Sequence, residues 1–265
     1  MSDDQTPLIR TDIPHSARIW NYWMGGKDYY EIDRIAGDAG VEVDPDITTM
    51  AVQSRQFLLR AVRYLAGEEG IRQFLDIGTG LPTMQNTHEV AQGVAPDSKV
   101  VYVDNDPLVL TMARALLTST TPEGVTTYVD CDYHDPEQII ADARNVLNFN
   151  EPIGVMFMGV LGHAKSYDEL LRIVRTVLAA VPSGSFLVMW DGTDDSKEYV
   201  TLCENYTGTG GVPYVPRPQA EIRAVFDGLE LVEPGFVSIT QWRTDAAEVG
   251  EVRPISAFGA VARKP

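Results

Sequence analysis

The chemistry of this chain begins at Asp76-Ile77-Gly78-Thr79-Gly80, which follows the apolar pair Phe74-Leu75. Two glycines one residue apart let the backbone turn sharply and approach a ligand closely. A helix starting just beyond them offers free N–H groups and the positive end of its dipole. Pro82 suits the first turn of that helix. A carboxylate two residues before the first glycine adds an acceptor for a positively charged amino group. Three readings compete. A dinucleotide loop needs G-x-G-x-x-G, and Thr83 stands at the third position. A D-x-G-x-G loop suits a nucleoside that carries a cationic amino acid, S-adenosylmethionine (SAM). The third reading is a tight strand-to-helix turn around a buried Asp. The loop taken alone does not separate them.

The next two strand ends carry the same residue type. Asp104 closes Val100-Val101-Tyr102-Val103, 26 residues beyond Gly78. A carboxylate there can accept from both hydroxyls of a ribose, for NAD or SAM alike. Asn105 follows, and Asp106 before Pro107 fits a helix N-cap. Cys131-Asp132-Tyr133 ends the third strand. Asp132 can accept from an adenine amino group while the next N–H meets a ring nitrogen, and Asp135 is the better cap for the helix that follows. Three acids ending three successive strands divide over amino acid, ribose and base. That series is more specific than a glycine loop.

Methyl transfer from a sulfonium is an in-line displacement, for which orientation and desolvation do much of the work. A general base matters when the acceptor must lose a proton. His163, just past the fourth strand, is the best-placed candidate. No Asn/Asp-Pro-Pro-Tyr follows that strand, which disfavours amino methylation of nucleic acid. Tyr22, Trp23, Tyr29 and Tyr30 are candidates for an aromatic lid, and aromatic faces suit a sulfonium. Lys27 and Asp28 follow the Gly25-Gly26 hinge. Arg18 and Arg55 are candidates to pair with the SAM carboxylate. Asp191 reads as a turn residue, and the Gly/Pro-rich segment 207–218 as a cover on the acceptor side.

These residues need a scaffold that sets strand ends side by side. Residues 71–77, 99–104, 126–131, 153–161 and 184–191 are nearly continuous apolar strands, as expected when helices cover both faces of a sheet. Helices are predicted over 83–92, 107–117, 136–147, 166–181, 195–205 and 219–227. This alternation gives a doubly wound, mostly parallel sheet. Residues 230–242 and 254–264 read as two strands with no helix between them, hence an antiparallel pair. Before the sheet, residues 1–14 read as a loose arm. Two short helices flank Gly25-Gly26, and a long helix runs to about Ala66 with Asp44 as N-cap and Pro45 at its first position. The chain therefore reads as a helical extension over 1–70 packed on a domain over 71–265.

Composition narrows the function. The 265 residues are 44% hydrophobic and 22% charged, which is globular. Lys+Arg number 21 and Asp+Glu 38, a net charge of −17, so the mean field repels nucleic acid and anionic membrane. Two cysteines 72 residues apart and four scattered histidines offer no disulfide scaffold and no metal site. The start MSDDQTPLIRTD is acidic and polar rather than a signal peptide, and no apolar run is long enough to span a bilayer, so the expected location is the cytoplasm.

With these residues in view, ARIWNYWMGGKDYYEIDR, RQFLDIGTGLPTMQNTHEVAQ, VVYVDNDP and the closing AVARKP together resemble the actinobacterial SAM-dependent methyltransferase family once called DUF574. The resemblance covers nearly the whole chain. It implies a class I methyltransferase, Rossmann-like fold: a seven-stranded sheet with an antiparallel last strand and an N-terminal helical extension. It implies that Asp76, Gly78 and Gly80 line the methionine side, Asp104 the ribose, and Asp132, Tyr133 and Asn105 the adenine. Tyr22, Gly26 and Arg55 complete the expected SAM set, and S-adenosylhomocysteine is the expected product. Two departures stand near the expected mouth. The family's R-x-N-R is Val52-Gln53-Ser54-Arg55 here, and Leu161-Gly162-His163 keeps one histidine where the family often has two. The expectation is a methyltransferase of small molecules in specialised metabolism, with oligomeric state unspecified. The alternatives are a SAM-binding protein without methyl transfer, non-methylating chemistry in the same pocket, and an NAD(P)-dependent oxidoreductase.

Overall fold

The strands of the central sheet alternate between two apolar layers, and this alternation decides where the acids point. In the computed structural model, which describes residues 9–82, 85–116, 118–244 and 253–265, β1 (Gln73–Ile77), β2 (Lys99–Asp104), β3 (Val125–Asp130), β4 (Gly154–Met158) and β5 (Phe186–Gly192) are parallel neighbours in the order β3-β2-β1-β4-β5. β6 (Glu230–Leu231) and β7 (Val237–Ser238) both pair antiparallel with β8 (Ala257–Arg263), which itself runs antiparallel to β5. The antiparallel ending is as the sequence implies. The expected strand over 230–242 is instead two dipeptides. Gly235, at φ +89°, turns the chain between them, its N–H bonded to the Val232 carbonyl at 2.8 Å.

Phe74, Val100, Tyr102, Met156, Val188 and Trp190 face one layer, built from α3 (Ile47–Gly67), α4 (Thr87–Val94) and α8 (Lys197–Gly208). Leu75, Ile77, Val101, Val103, Val155 and Met189 face the other, built from α6 (Pro136–Ala143), α7 (Tyr167–Ala180) and α9 (Gln219–Ala224). Side chains two apart share a strand face, so Asp76 and Asp104 point to the α3 side. Asp76 is in register with Tyr102, and Asp104 with Asp130. Each successive acid of the series thus stands two residues further along its strand, and the carboxylates climb like steps. α5 (Pro107–Leu116) follows β2, with Asp106 accepting from the N–H groups of Leu108 and Val109.

The N-terminal helices α1 (Ser16–Trp23) and α2 (Glu31–Val43) flank Gly25-Gly26 as expected. α1 reaches the carboxyl end of the sheet, where Trp20 stands edge-on to Trp190 of β5 at 5.9 Å. Arg60 of α3 is buried and donates to the carbonyls of Trp242 and Ile239, which pins the segment after β7 to this helix.

Several helix boundaries differ from the sequence reading, α8 running to Gly208 rather than 205 and α9 ending at Ala224 rather than 227. Asp46, not Asp44, precedes α3. Asp44 ends α2 and accepts from the Asp46 N–H at 3.1 Å, so Pro45 sits in a turn between helices. α4 begins at Thr87 behind an Asn86/Glu89 capping box, so Pro82 lies in the loop, while Thr83, on which the dinucleotide comparison rests, is outside the described residues. α6 ends at Ala143 rather than 147.

Candidate active site

A cleft of about 280 Å³ opens over the carboxyl ends of β1, β2 and β4, and α1 closes it from above through Ala17, Trp20 and Met24. Asp76, Gly78, Gly80, Asp104, Asn105, Asp132, Tyr133, Arg55 and His163 all line it. Gly78 and Gly80 take φ +75° and +67°, the region that favours glycine. A side chain at Gly78 would also strike Val160 at 2.4 Å, whereas a Cβ at Gly80 would meet only Ala17 at 4.0 Å. The backbone at Gly80 is therefore open to a ligand.

Each carboxylate already has a partner. Asp76 is buried and accepts from the Thr87 hydroxyl at 2.7 Å. Burial pushes it up to about 6, against the hydrogen bond from Thr87 and the field of Arg55. Burial also pushes the Arg55 guanidinium down, with Asp76 the largest counterweight. The Nε of Arg55 has no partner among the described residues. Asp104 accepts from the Gly80 N–H at 2.7 Å with one oxygen, and from Asn105 and Asp106 N–H with the other. Its pKa is raised, mainly by burial. This carboxylate ties the glycine loop to the end of β2. Asp132 accepts from the His134 N–H at 2.9 Å and stands 2.6 Å from His134 Nδ1. The His134 ring lies 4.1 Å from the Tyr133 ring, so β3 ends in a small stack beside the cleft.

His163, also lining the cleft, occupies a single 3-10 turn after β4, Leu161–His163. Its Nδ1 is 2.9 Å from the Pro213 carbonyl. This makes Nδ1 the donor in the neutral ring and Nε2 the acceptor. Burial lowers its pKa, which keeps that acceptor available near neutral pH. Trp190 and Met158 complete this wall.

Tyr22 and Gly26, expected at the cofactor, lie elsewhere. Ala17, Trp20 and Met24 recur at helical spacing and face the cleft. Tyr22 is two residues from both Trp20 and Met24, about 200° around the helix. It turns to α2, where its hydroxyl donates to Asp38 and its ring packs against Tyr29 at 5.0 Å. Gly26 sits against the buried Asn21 carboxamide, 2.2 Å from where a Cβ would be. Asn21 also accepts from the Asp28 N–H, so the Gly-Gly-Lys-Asp turn is held from inside the helix pair. Arg18 is buried 3.0 Å from Asp33 and donates to the carbonyls of Arg10 and Ile13. Sequence reasoning missed His15, Ser54, Trp190 and His134. His15 pairs with Asp106 at 3.0 Å, which links the start of α1 to the α5 cap. Its place one residue before α1 was the available signal.

The cleft fits a zwitterionic nucleoside. Asp76 and Arg55 offer opposite charges, Asp104 offers a carboxylate beside the glycine loop, and the Tyr133 hydroxyl and Trp190 indole N–H, without partners among the described residues, offer donors. This sheet order and this cleft define a class I methyltransferase, built to bind SAM. The chain belongs to the S-adenosyl methyltransferase family, whose model matches residues 2–265, and it is a SAM-dependent methyltransferase. It is similar to a DUF574 family protein from Streptomyces avermitilis MA-4680, with 46% identity over 97% of this chain and 100% of that one, TM-score 0.92. A Thermobifida fusca YX protein, provisionally named a methyltransferase, shares 38% identity over 99% of both chains, TM-score 0.88. At 13% identity, human N-acetylserotonin methyltransferase in complex with SAM shares the fold over 88% of this chain and 57% of its own, TM-score 0.51. No curated protein matches the chain.

Proposed function

We propose that the enzyme transfers the methyl group of SAM to a small molecule of specialised metabolism, with His163 as general base. The observation that carries this reading is that His163, on the turn after β4, lines the same cleft as Asp76, Asp104 and Asp132, under a roof made by α1. Asp76 receives the amino group and Arg55 the carboxylate of the methionine end. Asp104 accepts from the ribose, while Asp132, Tyr133 and Asn105 hold the adenine. Bound SAM supplies an electrophilic methyl group. A lone pair on the acceptor forms the new bond to that carbon as the sulfur–methyl bond breaks and its electron pair returns to sulfur. A hydroxyl acceptor's proton passes to His163 Nε2. The helical extension over 1–70 packs on the domain over 71–265, and α1 within it serves as the lid, which leaves room for a small acceptor. The charge of −17 opposes nucleic acid. Two buried free thiols, Cys131 and Cys203, suit a reducing compartment, the cytoplasm.

Calorimetric titration with S-adenosylhomocysteine, SAM and NAD tests the cofactor side. Binding of the first two and not the third is expected, and binding of NAD alone defeats the reading. Release of labelled methyl from SAM onto a candidate acceptor, lost in His163→Ala, tests the transfer. A protein that binds SAM and transfers to nothing in a broad small-molecule extract is a binder instead.

A further inference from the structure

A second cavity adjoins the cleft. It lies between α1, α2 and α8, holds about 100 Å³, and shares Ser16, Trp20 and His163 with the cleft. We propose that this groove is the acceptor subsite and that it takes one uncharged ring whose nucleophilic atom faces His163. The assignment rests on the methyl-transfer reading of the neighbouring cleft.

Three observations carry it. First, none of the described residues lining the groove is Asp, Glu, Lys or Arg. A charged group placed there would be desolvated without a partner, which is costly. Second, the walls are flat and apolar. Trp20 and Trp23 meet edge to face at 5.7 Å, and Ile19, Val43 and Leu202 complete the slot. Gly40 keeps the slot open, because a Cβ there would press on Trp23 at 3.0 Å and Leu202 at 3.4 Å. Third, His163 lines both cavities and so marks their junction, while Ser16, Asn205, Tyr206 and Thr209 are the groove's other uncharged polar side chains beside the tyrosines. His163 stands perpendicular to Tyr214 at 5.1 Å, and the Tyr214 hydroxyl is already donated to buried Asp191. Tyr214 fits only because residue 162 is glycine, where a Cβ would fall 2.2 Å from its ring. Tyr214 is thus a positioning residue that stands the His163 ring upright at the junction of the two cavities. Volume sets the size of the occupant. An apolar cavity of about 150 Å³ takes up benzene. The groove therefore holds most of one six-membered ring, the remainder projecting toward His163, and no second ring.

The experiment uses the full chain saturated with S-adenosylhomocysteine and three probes: phenol, 2-naphthol and benzoate. Binding is read by tryptophan fluorescence, since Trp20 and Trp23 form the wall, and by calorimetry. Phenol is expected to bind at least about tenfold more tightly than benzoate and than 2-naphthol. Leu202→Trp and, separately, Val43→Phe fill the slot. Each should weaken phenol about tenfold or more and leave S-adenosylhomocysteine within about twofold. Equal binding of benzoate overturns the inference. So does phenol affinity that both fillers leave unchanged, or a dimer in sedimentation that Leu202→Trp dissociates, which would make the groove an interface between copies. The probe comparison on the unsubstituted chain decides the matter even if both fillers misfold. Failure of the cleft reading looks different: S-adenosylhomocysteine does not bind, while phenol titrated alone still reports on the groove.

Discussion

At the ends of β1, β2 and β3 the cleft is walled by Asp76, Asp104 and Asp132. Where β4 and β5 end, it is walled by Met158, His163 and Trp190. The first wall comes from three consecutive strand-to-helix turns, and its carboxylates are held before any ligand arrives, Asp104 by the Gly80 N–H and Asp76 by Thr87. The second comes from segments far apart in the chain, the turn after β4, β5 and Val212, and the adjoining groove extends it with α2, α8 and Tyr214. It offers rings and one imidazole. The difference teaches how one fold combines two kinds of wall: charge placed by consecutive strand ends, and apolar shape that only tertiary packing assembles.

The sharpest break in this comparison is expected at His163. Replacing it with Ala should lower methyl transfer by about 10²- to 10⁴-fold, the usual worth of a positioned general base. S-adenosylhomocysteine affinity should stay within about twofold. Single-turnover kinetics and calorimetry separate the two. Equal losses in both would put His163 on the cofactor wall.

Asp104→Ala attacks the other wall. It removes an acceptor for two ribose hydroxyls and leaves the Gly80 N–H unpaired. Charge-assisted hydrogen bonds are worth about 1.5–3 kcal/mol each, so a loss of roughly 100-fold in S-adenosylhomocysteine affinity is expected. Titration that gives unchanged affinity removes Asp104 from the ribose site.

That the three acids share one cleft was legible in the sequence because its logic is local. An acid at the end of an apolar run, before glycine or before a helix start, has few places to go in a parallel sheet. Asp76, Asp104 and Asp132 needed only strand order to become neighbours. Arg55 is different, since nothing local says which face of a 21-residue helix meets β1, and the family resemblance singled it out. Tyr22 was misplaced because aromatic density was weighed without helix phase. The phase was available, for Ala17, Trp20 and Met24 already trace one stripe. Of the groove, the sequence singled out only Trp23, His163 and the segment 207–218, which supplies Thr209 and Tyr214. The groove's lining mixes residues from 16 to 214, and only tertiary packing brings Gly40, Leu202 and His163 to one slot. The strand expected at 230–242 failed for the opposite reason, a local turn at Gly235 within an apolar pattern.

Each wall also hides a buried carboxylate lifted to about 6, Asp76 on one side and Asp191 on the other. Burial is the main cause in both. Arg55 and the Thr87 hydroxyl oppose it at Asp76 while Asp104 adds to it, and Tyr214 and Arg217 oppose it at Asp191. An acid whose folded pKa exceeds its unfolded value holds extra protons in the native state between the two. Stability without ligand should therefore fall as pH rises from about 4 to 6 and level off above, by up to about 3 kcal/mol per group as an upper bound. Only Asp76 lines the cleft, so only it should couple to the cofactor's ammonium. Affinity for S-adenosylhomocysteine is expected to weaken below about pH 6, by at most tenfold per pH unit. Asp191→Asn should remove about half of the fall in the urea-midpoint profile and leave the binding profile intact, whereas Asp76→Asn should remove the other half and flatten the binding profile. A binding profile that follows Asp191 would merge the two walls into one electrostatic unit.

The smallest expected effect tests where the lid ends and the site begins. Tyr22 lies on the face of α1 turned away from the cleft, its hydroxyl donated to Asp38 and its ring against Tyr29. Asp38 also accepts from Arg34 at 2.7 Å, so it keeps a partner when the phenol is removed. Tyr22→Phe retains the ring packing and deletes one half-buried hydrogen bond. The cost in stability should be about 1 kcal/mol or less, and cofactor affinity should not move beyond about twofold. Trp20→Phe, two residues away on the same helix, keeps an aromatic ring but withdraws contact from Trp190 and from both cavities. Set side by side in one titration, the two variants read helix phase directly. If Tyr22→Phe weakens S-adenosylhomocysteine while Trp20→Phe does not, α1 presents its other face when the cofactor is bound.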